Sequence, residues 1–420
     1  LKMKALPIKT SKGYCWCCNS ETFSLFELND FPLTGRFPKK GEETMTGDLS
    51  FSVCKDCKLI QLEQAYSPED LYSEYYYRSS INNTMRIHLS NLVIDIINKY
   101  GLKKPGKWLD IGCNDGFTIS IPKTLGWSTK GIDPSNVIGQ YFKELFLKNH
   151  YEEKDFINDI FPPRKIKMFD EKFDVISTIS MFYDIFELEN FIDQIEKSLS
   201  KDGIWVVEMN YTLNMIKDFG YDMISHEHIT YFTLTSFIFA LNKLKPELRV
   251  FDCKLTPING GSITIYIDRG VRKIDNSVNI NLEIEKKMGL NSIPLIKEYF
   301  ANIKNHSESV SKFIESLKKQ NKTISIYGAS TRGNTNILLS KLNKNIIDYA
   351  YEKNTDKIAR FCPGSDIEIK HEKELNNDNP DYLIVMPYSF IDEFRIKESN
   401  YLKNGGKMIT LVPEIRVYED

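Results

Sequence analysis

Cys15 and Cys18 form one Cys-x-x-Cys pair, and Cys54 and Cys57 form a second after 35 intervening residues. Two residues between thiolates let both sulfurs face one ion at about 2.3 Å, and two such hairpins complete a tetrahedron. Thiolates are soft ligands, and four of them leave no open coordination position, so structural zinc is the expected occupant. The metal would supply stability that a segment this short cannot draw from its own core. Cys17 falls out of register and reads as a spectator. The competing reading is four free or disulfide-paired cysteines.

A chain of 420 residues is too long for one ordinary core and implies two or three domains. Hydrophobic content of 41% and charged content of 27% are those of a soluble globular protein. The net charge of −2 gives no long-range pull toward nucleic acid or an anionic membrane. No apolar run approaches the roughly 20 residues that span a bilayer. Leu1-Lys2-Met3-Lys4 has no apolar stretch behind it, so no secretory signal is expected. Leu1 is not an initiator methionine, which leaves the true start open. The expected address is cytoplasmic, where cysteines stay reduced.

Residues 107–210 alternate short apolar strands (107–111, 129–132, 173–179, 204–208) with helical periodicity. This implies an α/β domain with helices on both faces of a parallel sheet. A helix from about Thr233 and strands at 248–255 and 262–267 follow. Residues 281–320 are charged with helical spacing and read as a connector. A second strand–glycine loop–helix unit starts at Thr323, with further strands at 347–351, 382–386 and 407–411. The expected division is 1–75, 76–275 and 276–420.

Three segments carry chemistry. In the first, Asp110 ends a strand and is followed by Gly112-Cys113-Asn114-Asp115-Gly116 and a helix. Glycines there admit a ligand close to the backbone, and an acidic side chain accepts hydrogen bonds. Asp133, before Pro134, closes the next strand, where an acid suits the two hydroxyls of a ribose. The loop lacks Gly-x-Gly-x-x-Gly, which favours an adenosine ligand without a pyrophosphate, such as S-adenosylmethionine (SAM), over NAD. In the second, Ser225-His226-Glu227-His228 gathers two of only six histidines around a carboxylate. It reads as a metal site, as a base with an orienting neighbour, or as surface or core residues. If the segment is extended, His226 and His228 share a face and Glu227 points away. In the third, Gly328–Thr335 nearly matches the phosphate loop, but Asn334 stands where the lysine must be. Nucleoside-triphosphate hydrolysis is therefore not expected, although Arg332 and free backbone N–H groups could hold a diphosphate.

In this order the pieces resemble the zinc-containing SAM-dependent sugar C-methyltransferases, which act at C3 of nucleotide-linked 4-keto-deoxysugars. The resemblance runs from the cysteine pairs to Pro413-Glu414-Ile415. Its marks are Asp110–Gly116, Met181-Phe182-Tyr183-Asp184, Tyr221–Phe232, Asn259-Gly260-Gly261-Ser262, Tyr327–Asn334 and the tail from Asn404. It implies a zinc module, a central class I SAM-methyltransferase domain of Rossmann-like fold and a C-terminal Rossmann-like domain that binds the nucleotide sugar. It places the catalytic histidine at His228, its carboxylate at Glu227 and a tyrosine at Tyr77, with Tyr76 as the other register. Ser79, Ser225, His226, Asn259, Gly260, Arg332 and Asn334 then fall among the substrate contacts. Asp110, Gly112, Cys113, Asn114, Gly116, Asp133 and Pro134 fall among the cofactor contacts. Ser225 departs from the family's usual tyrosine, Asp184 from a histidine, and Asn259 from a common histidine, all where the sugar pocket is expected.

The resulting expectation is a C-methyltransferase in which His228 deprotonates the carbon beside a ketone, Glu227 orients His228 or meets the sugar, and Tyr77 donates to the enolate oxygen. The partner is a nucleotide-diphosphate sugar, with no nucleic acid and no membrane, and the chain is a monomer or weak dimer. The competing readings are an O- or N-methyltransferase on a sugar or related metabolite, a zinc-dependent binding module with an inactive α/β domain, and an NAD-dependent sugar isomerase or oxidoreductase.

Overall fold

Thr22–Pro32 and Thr46–Cys54 pair as a long antiparallel hairpin, and Ile60–Leu62 pairs along the other side of Thr46–Cys54. The computed structural model describes residues 3–102, 104–146, 155–165 and 170–420. In the hairpin, Leu49, Phe51 and Val53 alternate along the middle strand and enter one core with Ile296, Phe300 and Ile303 of the helix Ile293–Lys319. The fourth strand of this sheet comes from far along the chain. Thr230–Tyr231 lies antiparallel to Ile60–Leu62, with Thr230 opposite Gln61 and Tyr231 opposite Ile60.

At one end of the hairpin the four predicted ligands meet. Cys15 Sγ lies 3.6 Å from Cys57 Sγ, and Cys18 Sγ lies 3.4 Å from Cys54 Sγ and 3.8 Å from Cys57 Sγ. A tetrahedron with Zn–S bonds of 2.3 Å has edges of about 3.8 Å, so these separations suit one shared ion. They are too long for disulfides, and the cysteines are free. Backbone N–H groups of Cys17 and Asp56 donate to Cys15 Sγ and Cys54 Sγ at 3.4 Å each, which stabilises thiolate charge. Cys17 is buried but outside the set.

The central sheet has seven strands in the order Arg249–Thr256, Ser262–Asp268, Leu199–Asn210, Phe173–Ile179, Lys107–Ile111, Ser128–Ile132, Phe156–Ile157. Its last five are parallel and its first two antiparallel. Helices cover both faces, so the middle strands read as continuous apolar runs such as Ile204–Val207. The parallel strands end together and open a crevice beyond their carboxyl ends.

The expected connector is two helices, Asn276–Met288 and Ile293–Lys319, separated at Gly289, which caps the first with φ 70°. The first packs on the central domain, although the sequence division placed it in the C-terminal one. Its buried Glu285 reaches the start of the helix Leu234–Leu244, accepting from Leu234 N–H at 2.5 Å, Thr235 N–H at 2.9 Å and the Tyr211 hydroxyl at 2.6 Å. A carboxylate there satisfies orphan donors and meets the positive helix end.

The C-terminal sheet runs Ile369–His371, Ala350–Glu352, Ile324–Tyr327, Tyr382–Val385, Lys407–Thr410, Arg416–Tyr418, parallel except for the last strand. The two three-residue edge strands have no counterpart in the sequence reading. Among the described residues, no helix is long and apolar enough to cross a membrane.

Metal analysis should find about one zinc per chain, and Cys54→Ser should lower both that content and the unfolding midpoint. A metal-free wild type with an unchanged midpoint would refute the zinc assignment. Glu285→Ala should cost about 3 kcal/mol or more in urea unfolding, because two helix N–H groups and the Tyr211 hydroxyl lose their partner in a dry site. A loss below about 1 kcal/mol would show that this cap is replaceable.

Candidate active site

A cavity of about 600 Å³ lies between the carboxyl ends of the central strands and the C-terminal domain. The first glycine loop forms one end of it. Gly112 has φ 73°, and a Cβ there would come within 2.7 Å of Met181 Cγ, so glycine is required on both counts. Asp133 follows the strand Ser128–Ile132 and accepts from Asn114 N–H at 2.9 Å and Ser135 N–H at 2.8 Å. Each carboxylate oxygen keeps a lone pair for a ribose hydroxyl. The neighbouring Ser135 hydroxyl is buried, has no hydrogen-bond partner among the described residues and lines the same space. This acid, this glycine and this orphaned hydroxyl fit SAM, with Asp110, Cys113 and Pro134 also on the wall. Burial raises the Asp110 carboxyl to about 7, opposed by the Ser177 hydroxyl that donates to it at 2.6 Å.

Asn114 faces the cavity, but its side chain is committed to a neighbouring stretch of chain. It donates to the Tyr77 carbonyl at 3.0 Å and accepts from Ser79 N–H at 3.0 Å. Asp115 likewise accepts from Ser80 N–H at 3.0 Å. The Tyr77–Ser80 stretch is thereby fastened to the glycine loop, and Tyr77 and Ser79 line the cavity beside it. Tyr76 also reaches the wall, but its ring packs edge-on to Phe37 with centroids 5.5 Å apart.

The second wall is the His-Glu-His segment. His228 Nδ1 lies 2.7 Å from the Met223 carbonyl. A carbonyl only accepts, so Nδ1 carries the proton and Nε2 keeps its lone pair. Burial lowers His228 to about 4, which the Met223 contact opposes and the Arg332 charge reinforces. The ring is therefore a neutral acceptor at neutral pH, set edge-on to Tyr183 at 4.6 Å. Glu227 also lines the cavity, yet its carboxyl has no hydrogen-bond partner among the described residues. Burial alone raises it to about 7. Asp184 is raised as well, by burial and then by the Glu227 charge, and it accepts from the Tyr72 hydroxyl at 3.2 Å. The carbonyl of Met223, rather than Glu227, orients His228.

His226 does not share the face of His228. It is buried beside the zinc module, stacked on Phe31 at 6.2 Å and edge-on to Tyr66 at 5.2 Å. Ser225 is buried outside the cavity too, so neither residue meets a ligand there.

The second glycine loop closes the cavity from the C-terminal domain, with Ser330 and Arg332 on its wall. Arg332 pairs with Asp222 at 2.6 Å and donates to the Asn259 carbonyl at 2.5 Å, while its Nε has no partner among the described residues. Asn334 turns away and donates to the Thr34 carbonyl at 2.9 Å, and Thr335 donates to the Ile224 carbonyl at 2.7 Å. The segment that resembled a phosphate loop is thus largely a lock between domains. Asn259 reaches the cavity, but Gly260 and Gly116 do not; Gly116 instead caps the helix Phe117–Thr124 with φ 90°.

Sequence reasoning missed Tyr75, Glu352, Asn354 and Lys357 on the wall. Glu352 had a legible signal, since it ends the strand after a glycine-loop helix as Asp133 does. Lys357 had none. It folds back to donate to the Ala329 carbonyl at 2.7 Å and lies 3.4 Å from Glu352.

Residues 15–72 match a zinc-binding domain family, residues 85–244 a methyltransferase domain family, and residues 257–413 the C-methyltransferase C-terminal domain family. The C-methyltransferase NovU of Streptomyces niveus is 22% identical over 408 residues, covering 96% of this chain and 95% of its own. A tRNA U34 carboxymethyltransferase of Sulfurimonas denitrificans is 24% identical over 127 residues, or 29% of this chain and 40% of its own. A solved SAM-dependent methyltransferase of Clostridium acetobutylicum covers 46% of this chain and 94% of its own at 14% identity, with a TM-score of 0.34. Three matched domains in unbroken order, and a relative aligned nearly end to end, place this chain in the SAM-dependent C-methyltransferase family with an N-terminal zinc-binding domain and a dedicated C-terminal domain.

Proposed function

We propose that the methyl acceptor is a nucleotide-linked 4-keto-deoxysugar, methylated at C3 after His228 removes the proton from that carbon. The observation that carries this reading is the Met223 carbonyl holding Nδ1–H of His228, in the cavity that also contains Gly112 and Asp133. That contact leaves Nε2 as the accepting nitrogen, and burial keeps the ring neutral at a pH where an exposed histidine is already partly protonated.

The C3–H bond breaks, its proton passes to Nε2 and its electron pair forms an enolate with the adjacent ketone. Tyr77, whose backbone is pinned to the glycine loop through Asn114, would donate from its hydroxyl to the enolate oxygen. SAM, when bound, supplies the electrophilic methyl group. Asp133, Gly112 and Ser135 would hold its adenosine end. The tyrosines and carboxyls of Tyr72, Tyr75, Asp184 and Glu227 suit a polyhydroxylated ring, whose faces are apolar and whose hydroxyls donate. Lys357 and Arg332 are the cations on the C-terminal side of the cavity and suit the diphosphate. This replaces the pairing of Arg332 with Asn334.

Calorimetry should show SAM binding to the wild type and a loss of about 1–3 kcal/mol in Asp133→Ala, the cost of removing a charged hydrogen-bond partner. Unchanged affinity would place the ribose elsewhere.

Carbon methylation is separated from O- or N-methylation by proton exchange. With a 4-keto-sugar nucleotide bound, the C3 hydrogen should exchange with solvent deuterium, even without SAM. His228→Ala should slow exchange and methylation together by roughly 10²–10⁴-fold. A base lowered to about 4 stays neutral on acidification, so exchange should show no histidine titration between pH 7.5 and 5.5. A histidine at its ordinary 6.5 would lose about tenfold at pH 5.5. Wild-type exchange in His228→Ala would remove His228 from the reaction, and methylation without exchange would favour an oxygen or nitrogen acceptor.

A further inference from the structure

Gln61 touches both the metal knuckle and the strand that directly follows His228. Its residue is fully buried at 0% exposure, in the strand Ile60–Leu62. Its side-chain amide brackets Cys15. Nε2 donates to the Tyr14 carbonyl at 2.8 Å and to Ser11 Oγ at 2.9 Å, and Oε1 accepts from Trp16 N–H at 3.0 Å. The Trp16 indole N–H adds a bond to the Leu62 carbonyl at 2.7 Å. On its backbone, the same residue stands opposite Thr230, two residues beyond His228. Leu62 N–H donates to the Ile229 carbonyl at 2.7 Å, and Ile229 N–H donates to the Tyr183 carbonyl at 2.9 Å. Hydrogen bonds therefore run from the first cysteine knuckle through Gln61 and Leu62 to Ile229, the residue after His228, and on to Tyr183, its ring partner. Trp16 also packs against Phe186 of the cavity wall, with centroids 5.7 Å apart.

We propose that Gln61 is a positioning residue that sets the place of His228 by tying its strand to the metal-bound Cys15–Cys18 knuckle. Zinc then acts on turnover at a distance, since an ion that fixes the knuckle also fixes the strand edge on which Thr230–Tyr231 is laid. A buried amide with every group paired holds one geometry, because any slip leaves a polar group unsatisfied. A base displaced by about 1 Å can lose on the order of 10²-fold in rate. The inference rests on His228 being the base.

The test uses the full chain loaded with zinc, with metal content, SAM affinity and SAM-free C3 exchange measured on each variant. Gln61→Leu keeps the strand and its volume but removes all three side-chain hydrogen bonds. It should retain its zinc and bind SAM within about threefold of wild type, yet exchange about 10–100-fold more slowly. Its exchange should also acquire an acid limb that moves from about 4 toward 6.5, as His228 loses its dry setting. A merely stabilising residue would leave that limb in place. Trp16→Phe, which removes the Leu62 bond and keeps a smaller aromatic ring beside Phe186, should give a smaller change in the same direction and decides the matter if Gln61→Leu does not fold. Wild-type exchange rate and pH profile in a folded, zinc-loaded variant would overturn the proposal. So would a rate that falls only in proportion to zinc content. His228→Ala run alongside separates the two levels: if it exchanges at the wild-type rate, the base assignment has failed; if it does not and the Gln61 variant exchanges at the wild-type rate, the coupling has failed.

Discussion

Thr230–Tyr231 contributes two residues to a sheet that otherwise belongs to the cysteine module, and the His-Glu-His segment hangs from that pairing. A strand this short has little stability of its own. It persists because Tyr231 enters the core shared by Phe51 and Phe300, and because Ile60–Leu62 offers an edge with no other partner on that side. Two fixed points then define the turn that contains His228: the strand after it and the Met223 carbonyl before it. A side chain held at both ends can present one nitrogen to the cavity and keep the other satisfied.

The C-terminal domain grips the same segment from the opposite side. Thr335 bonds to Ile224, Arg332 pairs with Asp222, and Asn334 reaches Thr34 of the cysteine module. One helix N-terminus thus touches all three domains within four residues. Asp222 is buried at the cavity edge with Arg332 half-buried beside it, so removal of Arg332 would strand a buried carboxylate. The pair's value lies in fixing how the domains meet as much as in stability.

The cavity is rich in carboxyls whose acidity is weakened. Glu227, Asp184, Asp110 and Asp133 are all raised, burial being the first cause in each. The same dryness lowers His228. A site that disfavours charge on its acids and on its base alike keeps the imidazole in its neutral form near neutral pH. It also strengthens any dipole aimed at a developing oxyanion.

Local chemistry was legible in the residues themselves. The cysteine spacing gave the ligand set, because a two-residue gap dictates sulfur geometry whatever surrounds it. Gly112 and Asp133 were readable because strand–glycine loop–helix–strand–acid is one continuous stretch of chain. His228 came from the resemblance, and its placement on the cavity wall came from the fold. What could not be read were relations between distant segments. No periodicity marks Thr230–Tyr231 as an edge strand of a sheet that begins at Thr22. An extended-chain argument put His226 beside His228, but the turn at Met223–Ile229 sends it into the Phe31–Tyr66 pocket. Asn334 looked like a degraded phosphate-loop residue and proved to be a tether to Thr34. Lys357 gave no signal because its approach to Ala329 depends on how the C-terminal strands are ordered. Sequence by itself determined which groups could bind metal and nucleoside, since those depend on covalent spacing. Tertiary structure decided which histidine faces the cavity and what holds it there, since those depend on long-range strand pairing.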